Sequence, residues 1–218
     1  MSAGTHAFTI SERELKNIHG VLLDLDNTLY NYATCHTAAL RSSYAVVRKT
    51  TDLSFKEFEE RYEVARKNIK RQIDGRAASH SRLLYFQNMF EMYFGITHVE
   101  LTLAAERAYW DGFFKKMKLY PGVRDFLTQC RKKCISVCLV TDLTAEIQLR
   151  KITHLRIANL IDLVVSSEEA GADKPHKSIF ILALTKLGLE PHEVILIGDD
   201  HKKDILGARA LGIRAILA

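Results

Sequence analysis

One segment organises this sequence: Gly20-Val21-Leu22-Leu23-Asp24-Leu25-Asp26-Asn27-Thr28-Leu29-Tyr30. A glycine opens a short apolar run, and two carboxylates follow it two residues apart. An apolar run of this length predicts a strand that is buried on both faces. Asp24 and Asp26 then lie where the strand ends, which is where open parallel sheets bind their ligands. Paired like charges are unfavourable unless a cation or a reaction uses them. The alternative is that Asp, Asn and Thr here simply cap a helix.

The carboxyl-terminal part of the chain alternates between strand and helix patterns. Strands are predicted over 135–140, 161–165, 193–197 and 213–217, and helices over 123–133, 145–155, 176–187 and 203–211. Such alternation predicts right-handed crossovers and a parallel sheet. We therefore expect an α/β fold, a Rossmann-like parallel sheet with helices on both faces, which the strand at Gly20 also joins.

The intervening segment, residues 31–117, has a different character. No proline occurs between residues 33 and 118, and the apolar residues of the segment recur at helical spacing. Helices are predicted over 34–49, 54–72, 79–94 and 98–116, the second with a capping box of Ser54 and Glu57 and the third ending at Gly95. The domain prediction is therefore a core of 1–30 and 118–218 with an all-helical insertion, 31–117. Before the core, 11–18 is predicted as a short helix or turn capped by Ser11.

Composition limits the classes of function. The chain has 218 residues, 47% hydrophobic and 26% charged, with a net charge of +5. A mildly basic surface favours phosphorylated substrates, but no dense Lys/Arg run indicates nucleic acid. The four cysteines lack metal-ligand spacing and are expected to be reduced thiols. Residues 1–10 do not resemble a signal peptide, and no apolar stretch is of membrane-spanning length. We expect a cytoplasmic monomer or homodimer that binds neither nucleic acid nor membrane.

Polar residues follow four of the predicted strands. Asp24 and Asp26 follow the first, Thr141 and Asp142 the second, and Lys174 opens the helix after the third. The residues after the fourth strand are Asp199, Asp200 and Asp204. Each one alone is explained more simply as a helix cap or a surface charge. Taken together, they fall at one edge of one predicted sheet, which favours a shared site.

These motifs resemble those of the haloacid dehalogenase-like hydrolases. Asp24-Leu25-Asp26-Asn27-Thr28 is similar to the family's Asp-x-Asp-x-Thr, and Thr141, Lys174 and Gly198-Asp199 follow in the family's order. The segment 167–171 before Lys174 and the segment 205–212 after the acidic motif are also similar to the family. The resemblance covers residues 20–30 and 120–217.

The resemblance implies a Mg²⁺-dependent phosphatase. Asp24 would be the nucleophile that forms an aspartyl-phosphate, and Asp26 would protonate the leaving oxygen and later deprotonate water. Thr141 and Lys174 would hold the phosphoryl oxygens. Mg²⁺ would be bound by Asp24, the backbone carbonyl of Asp26, and Asp199. By the same resemblance, the dehalogenases themselves lack a carboxylate at the position of Asp26, because halide leaves without a proton.

Further predictions concern the surroundings of this site. Asp204 is expected to orient Lys174 or a metal-bound water, and Asp200 to lie in the shell around the ligands. Asp142 stands where many members have Asn, next to the phosphate-binding threonine, and is counted with the substrate-binding residues. Asp173 precedes Lys174 where glycine is common, and the chain ends soon after its last strand.

The helical insertion resembles the cap of this family, which closes over the active site and selects the substrate. The segment 75–82 carries Arg76, His80 and Arg82 between two predicted helices, and we expect Arg76 and His80 to bind the substrate. A plain solvated loop is equally consistent with the sequence. The predicted substrate is a small phosphorylated metabolite, a sugar phosphate or nucleotide. The alternatives are a phosphomutase that uses the same carboxylates and a non-catalytic binding module.

Overall fold

The computed structural model describes residues 8–218, which form two compact units. The first contains the described part of residues 1–31 together with Lys118–Ala218, and the second contains Tyr32–Met117. Residues 1–7, most of the segment in which no signal peptide was predicted, lie outside the described residues. Within residues 8–218, no helix combines the length and the apolar composition that crossing a membrane requires.

The first unit is built on a parallel sheet of five strands in the order β3-β2-β1-β4-β5. The strands are β1 (Gly20–Leu23), β2 (Ser136–Thr141), β3 (Leu163–Ser166), β4 (Val194–Gly198) and β5 (Arg214–Leu217). The first strand is central, pairing with β2 and β4 on its two sides. The predicted parallel α/β fold is confirmed. β1 begins at Gly20 as predicted, and the other four strands begin one or two residues later than predicted, because pairing, rather than hydrophobicity, sets their ends.

Both faces of this sheet are covered. Side chains of a strand alternate between the two faces, and every residue of β1 and of β4 is buried. On one face, Leu22, Cys138 and Leu196 pack with Ile179 and Phe180 in a single apolar cluster. This burial on both sides explains why the strand sequences are continuous apolar runs.

Within residues 8–218, this unit contains five α-helices: α5 (Val123–Lys132), α6 (Ala145–His154), α7 (Ser167–Ala170), α8 (Lys177–Leu187) and α9 (Gly207–Arg209). The predicted helix 203–211 is wrong in form, since a π-helical turn, His201–Leu206, precedes the short α9. The turn is wide because two contacts hold it at once. The Asp204 carboxylate binds Lys174, and the Asp200 carboxylate accepts the backbone N–H groups of Lys202 and Lys203. The segment 11–18 forms turns rather than a helix, and the backbone N–H and the hydroxyl of Ser11 both donate to Glu14 Oε2 at 2.7 Å.

The second unit contains four α-helices among the described residues. These are α1 (Tyr32–Val47), α2 (Phe55–Gln72), α3 (Arg82–Phe94) and α4 (Val99–Lys116), with a 3₁₀ turn at Ala77–His80. The capping box of Ser54 and Glu57 is confirmed, as is the left-handed Gly95 that ends α3. The predicted start of α3 at residue 79 is wrong, because Ser81, whose Oγ accepts the backbone N–H of Leu84 at 3.3 Å, caps the helix.

Aromatic side chains form the core of the helical unit. Its largest fully buried members are Phe58, Tyr62, Tyr85, Phe86, Phe90, Tyr109, Trp110 and Phe113. Helix α1 packs on α4, where Gly112 lies so close to Ser42 that an added Cβ would be 2.2 Å from the Ser42 Oγ. Helix α2 packs on α3. The dense ring packing gives this unit a hydrophobic core of its own.

Candidate active site

The first carboxylate after β1 is buried between two hydrogen-bond donors. Asp24 Oδ2 accepts from Thr28 Oγ1 at 2.8 Å, and Oδ1 accepts from Lys174 Nζ at 2.6 Å. The backbone N–H of Asp24 still donates to the carbonyl of Ile197 at 2.9 Å, so the residue continues the pairing of β1 with β4. The strand pairing and the two side-chain contacts together fix the position of this carboxylate.

Lys174 lies between two carboxylates at this edge of the sheet. Its Nζ is 2.6 Å from Asp24 Oδ1, 2.7 Å from Asp204 Oδ1 and 3.1 Å from the carbonyl of Val140. Burial by itself lowers the pKa of a lysine, but the charges of Asp24 and Asp204 raise the pKa of Lys174 well above its usual value. The side chain is therefore a permanent buried cation beside Asp24.

Asp204 is held in place on both of its oxygens. Oδ1 contacts Lys174, and Oδ2 accepts the backbone N–H of Asp200 at 3.1 Å. Its neighbour Gly198 has no room for a side chain, because an added Cβ would lie 2.4 Å from Asp204 Oδ2. The predicted contact of Asp204 with Lys174 is present. Asp200 Oδ1 accepts the backbone N–H groups of Lys202 and Lys203, 2.9 Å away in each case.

The oxygens of three carboxylates converge at the strand ends. Asp24, Asp199 and Asp204 each bring one oxygen within 4.8 Å of the others, and Thr28 Oγ1, which donates its proton to Asp24, also lies 3.3 Å from Asp199 Oδ1. Burial raises the pKa of Asp24 to about 7 against the opposing effect of Lys174, and burial followed by the charge of Asp204 raises the pKa of Asp199. Because such crowding favours a hard cation and all the donors are oxygens, the cluster fits Mg²⁺.

The second carboxylate of the motif, Asp26, has its own set of partners. Lys151 Nζ lies 2.7 Å from both Oδ1 and Oδ2 of Asp26, and the Tyr30 hydroxyl donates to Oδ1. Lys151 projects from α6 and is fully buried. The two carboxylates of the motif therefore have different cationic partners, Lys151 for Asp26 and Lys174 for Asp24.

The end of β2 carries Thr141 and Asp142. Gln148 Nε2 of α6 donates to Thr141 Oγ1 and to the carbonyl of Asp142, both at 2.6 Å. The Asp142 carboxylate accepts the backbone N–H of Lys174 at 2.8 Å on Oδ1 and contacts Lys203 Nζ at 2.8 Å on Oδ2. Asp142 therefore ties the segment of Lys174 to the end of β2, and Lys203 neutralises its charge.

A sequence model described as haloacid dehalogenase-like hydrolase matches residues 21–218. The chain belongs to this family. It is 36% identical to ribulose-1,5-bisphosphate 5-phosphatase of Halopiger xanaduensis, over 90% of this chain and 83% of that protein. It is 33% identical to glyceraldehyde 3-phosphate phosphatase of Methanopyrus kandleri, over 90% of this chain and 82% of that protein. The predicted family and the predicted enzyme class, a phosphoric monoester hydrolase, are confirmed.

Solved structures of related hydrolases share the fold. A HAD phosphatase from Thermococcus onnurineus superposes with a TM-score of 0.66 at 23% identity, covering 92% of this chain and 86% of that one. A 2-haloacid dehalogenase from Pseudomonas syringae gives a TM-score of 0.71 at 21% identity, with the same coverage of 92% and 86%. These similarities support the architecture and say nothing about the substrate.

In the helical unit of this haloacid dehalogenase-like hydrolase, the three basic candidates have different surroundings. Arg76 is exposed and precedes the 3₁₀ turn that His80 ends, where His80 is half-buried. Arg82 is buried, so its expected place in an open loop is wrong. Its guanidinium donates to the carbonyl of His80 and to the hydroxyls of Tyr32 and Tyr109. It also lies within 5.4–5.8 Å of four aromatic ring centroids, the closest being that of Trp110.

Three residues around the candidate site were not predicted from the sequence. Gln148 and Lys151 lie on the buried face of α6 with Ile147 and Ile152, and Lys203 lies beyond the last motif. The sequence did carry a signal for the two α6 residues, because both are polar and lie at the spacing of the buried face of a helix. Burying a polar group costs free energy unless the group has a hydrogen-bond or charge partner. The signal for Lys203 was the unusual Asp142, whose charge requires a partner.

Proposed function

We propose that this chain is a Mg²⁺-dependent phosphatase that hydrolyses a small sugar phosphate through an aspartyl-phosphate on Asp24. The observation that carries the proposal is the 2.6 Å contact between Asp24 and the buried Lys174. A carboxylate that attacks an anionic phosphate ester needs fixed positive charge beside it. Lys174 supplies that charge at the nucleophile and is positioned to hold a phosphoryl oxygen.

The first half of the reaction transfers the phosphoryl group. Asp24 attacks phosphorus, the bond from phosphorus to the ester oxygen breaks, and Asp26 gives its proton to that oxygen. Thr141 and Lys174 hold the transferred group. A proton is needed because the alkoxide of a sugar is a poor leaving group. The carboxylate of Asp26 therefore supports phosphate esters over halides as substrates.

The second half regenerates the enzyme. Asp26 takes a proton from water, the water oxygen attacks phosphorus, and the bond from phosphorus to the Asp24 oxygen breaks to release inorganic phosphate. Asp24, the backbone carbonyl of Asp26, and Asp199 would hold Mg²⁺, which would offset the negative charges of Asp24 and of the phosphate. Asp204 would hold Lys174 in its orientation, and Asp200 would stabilise the turn that carries Asp204.

The core motifs bind only phosphate and metal, so another part of the chain must select the substrate. We propose that the helical unit, Tyr32–Met117, is the substrate-selecting cap, with Arg76 and His80 as contacts to the sugar. The two relatives described above are named for a sugar bisphosphate and a triose phosphate, which supports a sugar phosphate over a nucleotide.

The test is a panel of sugar phosphates and nucleotides assayed for inorganic phosphate with Mg²⁺ and with excess EDTA. We expect metal-dependent release from at least one sugar phosphate, and none from Asp24→Asn. A phosphomutase would convert the ester without releasing stoichiometric phosphate, and a binding module would leave every ester intact. Either result would contradict the proposal.

A further inference from the structure

Lys151 belongs to none of the four motifs, yet it is fully buried at the site. Its ammonium lies 2.7 Å from both carboxylate oxygens of Asp26. A buried lysine is costly unless a carboxylate satisfies it, and here the partner is the carboxylate that moves protons in the proposed reaction. The side chain of Asp26 is 29% exposed while that of Lys151 is 0% exposed. The lysine therefore holds the carboxylate from the closed side and leaves part of it open to solvent.

We propose that Lys151 is a positioning residue that aims the Asp26 carboxylate at the ester oxygen of the substrate. This inference rests on the proposed phosphatase function. Contact with both oxygens fixes the rotation of the carboxylate plane, and the hydroxyl of the buried Tyr30 gives a second fixed contact on Oδ1. A proton donor is effective only when it is held within hydrogen-bond reach of its acceptor. Lys151 and Tyr30, both fully buried, supply that constraint.

The alternative is that Lys151 only anchors α6 to the loop after β1. The two roles differ in how they depend on the leaving group. During transfer to Asp24, the bond from phosphorus to the ester oxygen breaks and the Asp26 proton passes to that oxygen. Phenolate is a poorer leaving group than p-nitrophenolate and needs the proton more. A misdirected Asp26 therefore slows phenyl phosphate selectively, whereas a loosened fold slows both esters equally.

The experiment compares kcat/KM for phenyl phosphate and p-nitrophenyl phosphate, two probes of nearly the same shape. For Lys151→Met we expect a loss of about tenfold or more on phenyl phosphate and less than about threefold on p-nitrophenyl phosphate, since general acid catalysis contributes roughly 10²–10⁴ in all. Lys151→Arg keeps a charged donor to the carboxylate and should recover most of the loss. The matched control is Arg150→Met, which removes a positive charge from the exposed face of the same helix.

Two further variants keep the test decisive. Tyr30→Phe removes the other contact to Asp26 and should show the same leaving-group dependence, even if Lys151→Met does not fold. In an Asp26→Asn background, adding Lys151→Met should cause no further loss. Equal losses on the two esters, or an added loss in the Asp26→Asn background, would overturn the positioning role alone. A wild-type protein that hydrolyses neither ester would contradict the proposed function, and the role of Lys151 with it.

Discussion

Lys203 Nζ lies 2.8 Å from Asp142 Oδ2, so the carboxylate that stands where many family members have an amide is matched by a lysine. Burial lowers the pKa of Lys203, but the charge and hydrogen bond of Asp142 outweigh this and raise it. The other oxygen of Asp142 still accepts the backbone N–H of Lys174, as an amide oxygen would. The pair keeps the geometry of the amide and cancels the added negative charge beside Thr141.

This pairing predicts non-additive effects of two substitutions. Lys203→Met leaves an uncompensated carboxylate next to the proposed phosphate site and should lower kcat/KM by about tenfold, or about 1.4 kcal/mol. Asp142→Asn in the same protein removes that charge and should restore kcat/KM to within about threefold of wild type. The control is Lys202→Met, which removes a neighbouring exposed lysine. Additive losses in the double variant would show that the two side chains act independently.

Asp24→Asn should abolish phosphate release. An amide is not an anionic nucleophile, and it also weakens the oxygen cluster proposed for Mg²⁺, so we expect a loss of at least about a hundredfold in kcat. The comparison is made on the best ester of the panel, with circular dichroism to verify the fold. Near-full activity in a folded Asp24→Asn protein would refute the covalent mechanism.

Arg76→Ala and His80→Ala test the proposed cap contacts. Each should lower kcat/KM for the best sugar phosphate by about 1–3 kcal/mol, the scale of a hydrogen bond to a charged group. p-Nitrophenyl phosphate lacks the sugar and should change little. Arg71→Ala, an exposed arginine at the end of α2, is the control. Equal losses on both substrates would place the residues in the chemistry or the fold, and no loss on either would identify a solvated loop.

The stability of the protein should depend on the protonation of His36. Burial, followed by the charges of Arg82 and Arg66, lowers the pKa of His36 from 6.5 to about 4, and the ring contacts the Tyr109 hydroxyl at 2.6 Å. Between pH 6.5 and pH 4, His36 binds a proton in the unfolded chain but not in the folded one. The contribution of the neutral histidine to the free energy of unfolding is therefore complete above pH 6.5 and is lost as the pH falls toward 4.

Between pH 7 and pH 4.5, wild type should therefore lose on the order of 2 kcal/mol more unfolding free energy than His36→Gln. Denaturant titrations at the two pH values measure the difference. His192→Gln, which removes an exposed histidine, should behave as wild type. If His36→Gln and wild type lost stability in parallel, the histidine would have to titrate alike in the folded and unfolded states.

The sheet and its polar edge were predictable because each follows from a short local pattern. An apolar run long enough for a buried strand ends in Asp24, and similar runs end in Thr141 and Gly198. Strand ends in a parallel sheet meet at one edge, so the sequence order alone brings their side chains together. The four helices of the second unit were likewise visible in their spacing and in the Ser54 and Gly95 signals.

The missed features depend on contacts between distant segments. Lys151 is 125 residues from Asp26 along the chain, and Lys203 is 61 residues from Asp142. The sequence signals noted above, the buried spacing of Lys151 on its helix and the charge of Asp142, do not name the partner, and a lysine on a helix is ordinarily a solvated charge. The burial of Arg82 was missed for the same reason, since its place is set by rings that α1 and α4 bring to it. The π-helical turn was missed because it accompanies the contact of Asp204 with Lys174, and that contact forms only in the folded chain.

The aromatic core of the helical unit also gives the protein an internal optical probe. The chain has a single tryptophan, Trp110, and this residue is 2% exposed in the packed core of α4 and its neighbours. The sheet unit contains none, so indole emission follows the unfolding of one unit while the far-ultraviolet signal follows both. Any offset between the two unfolding curves would measure how far the units melt independently. Wild-type protein therefore needs no added label to compare the stability of the segment proposed to select the substrate with that of the whole molecule.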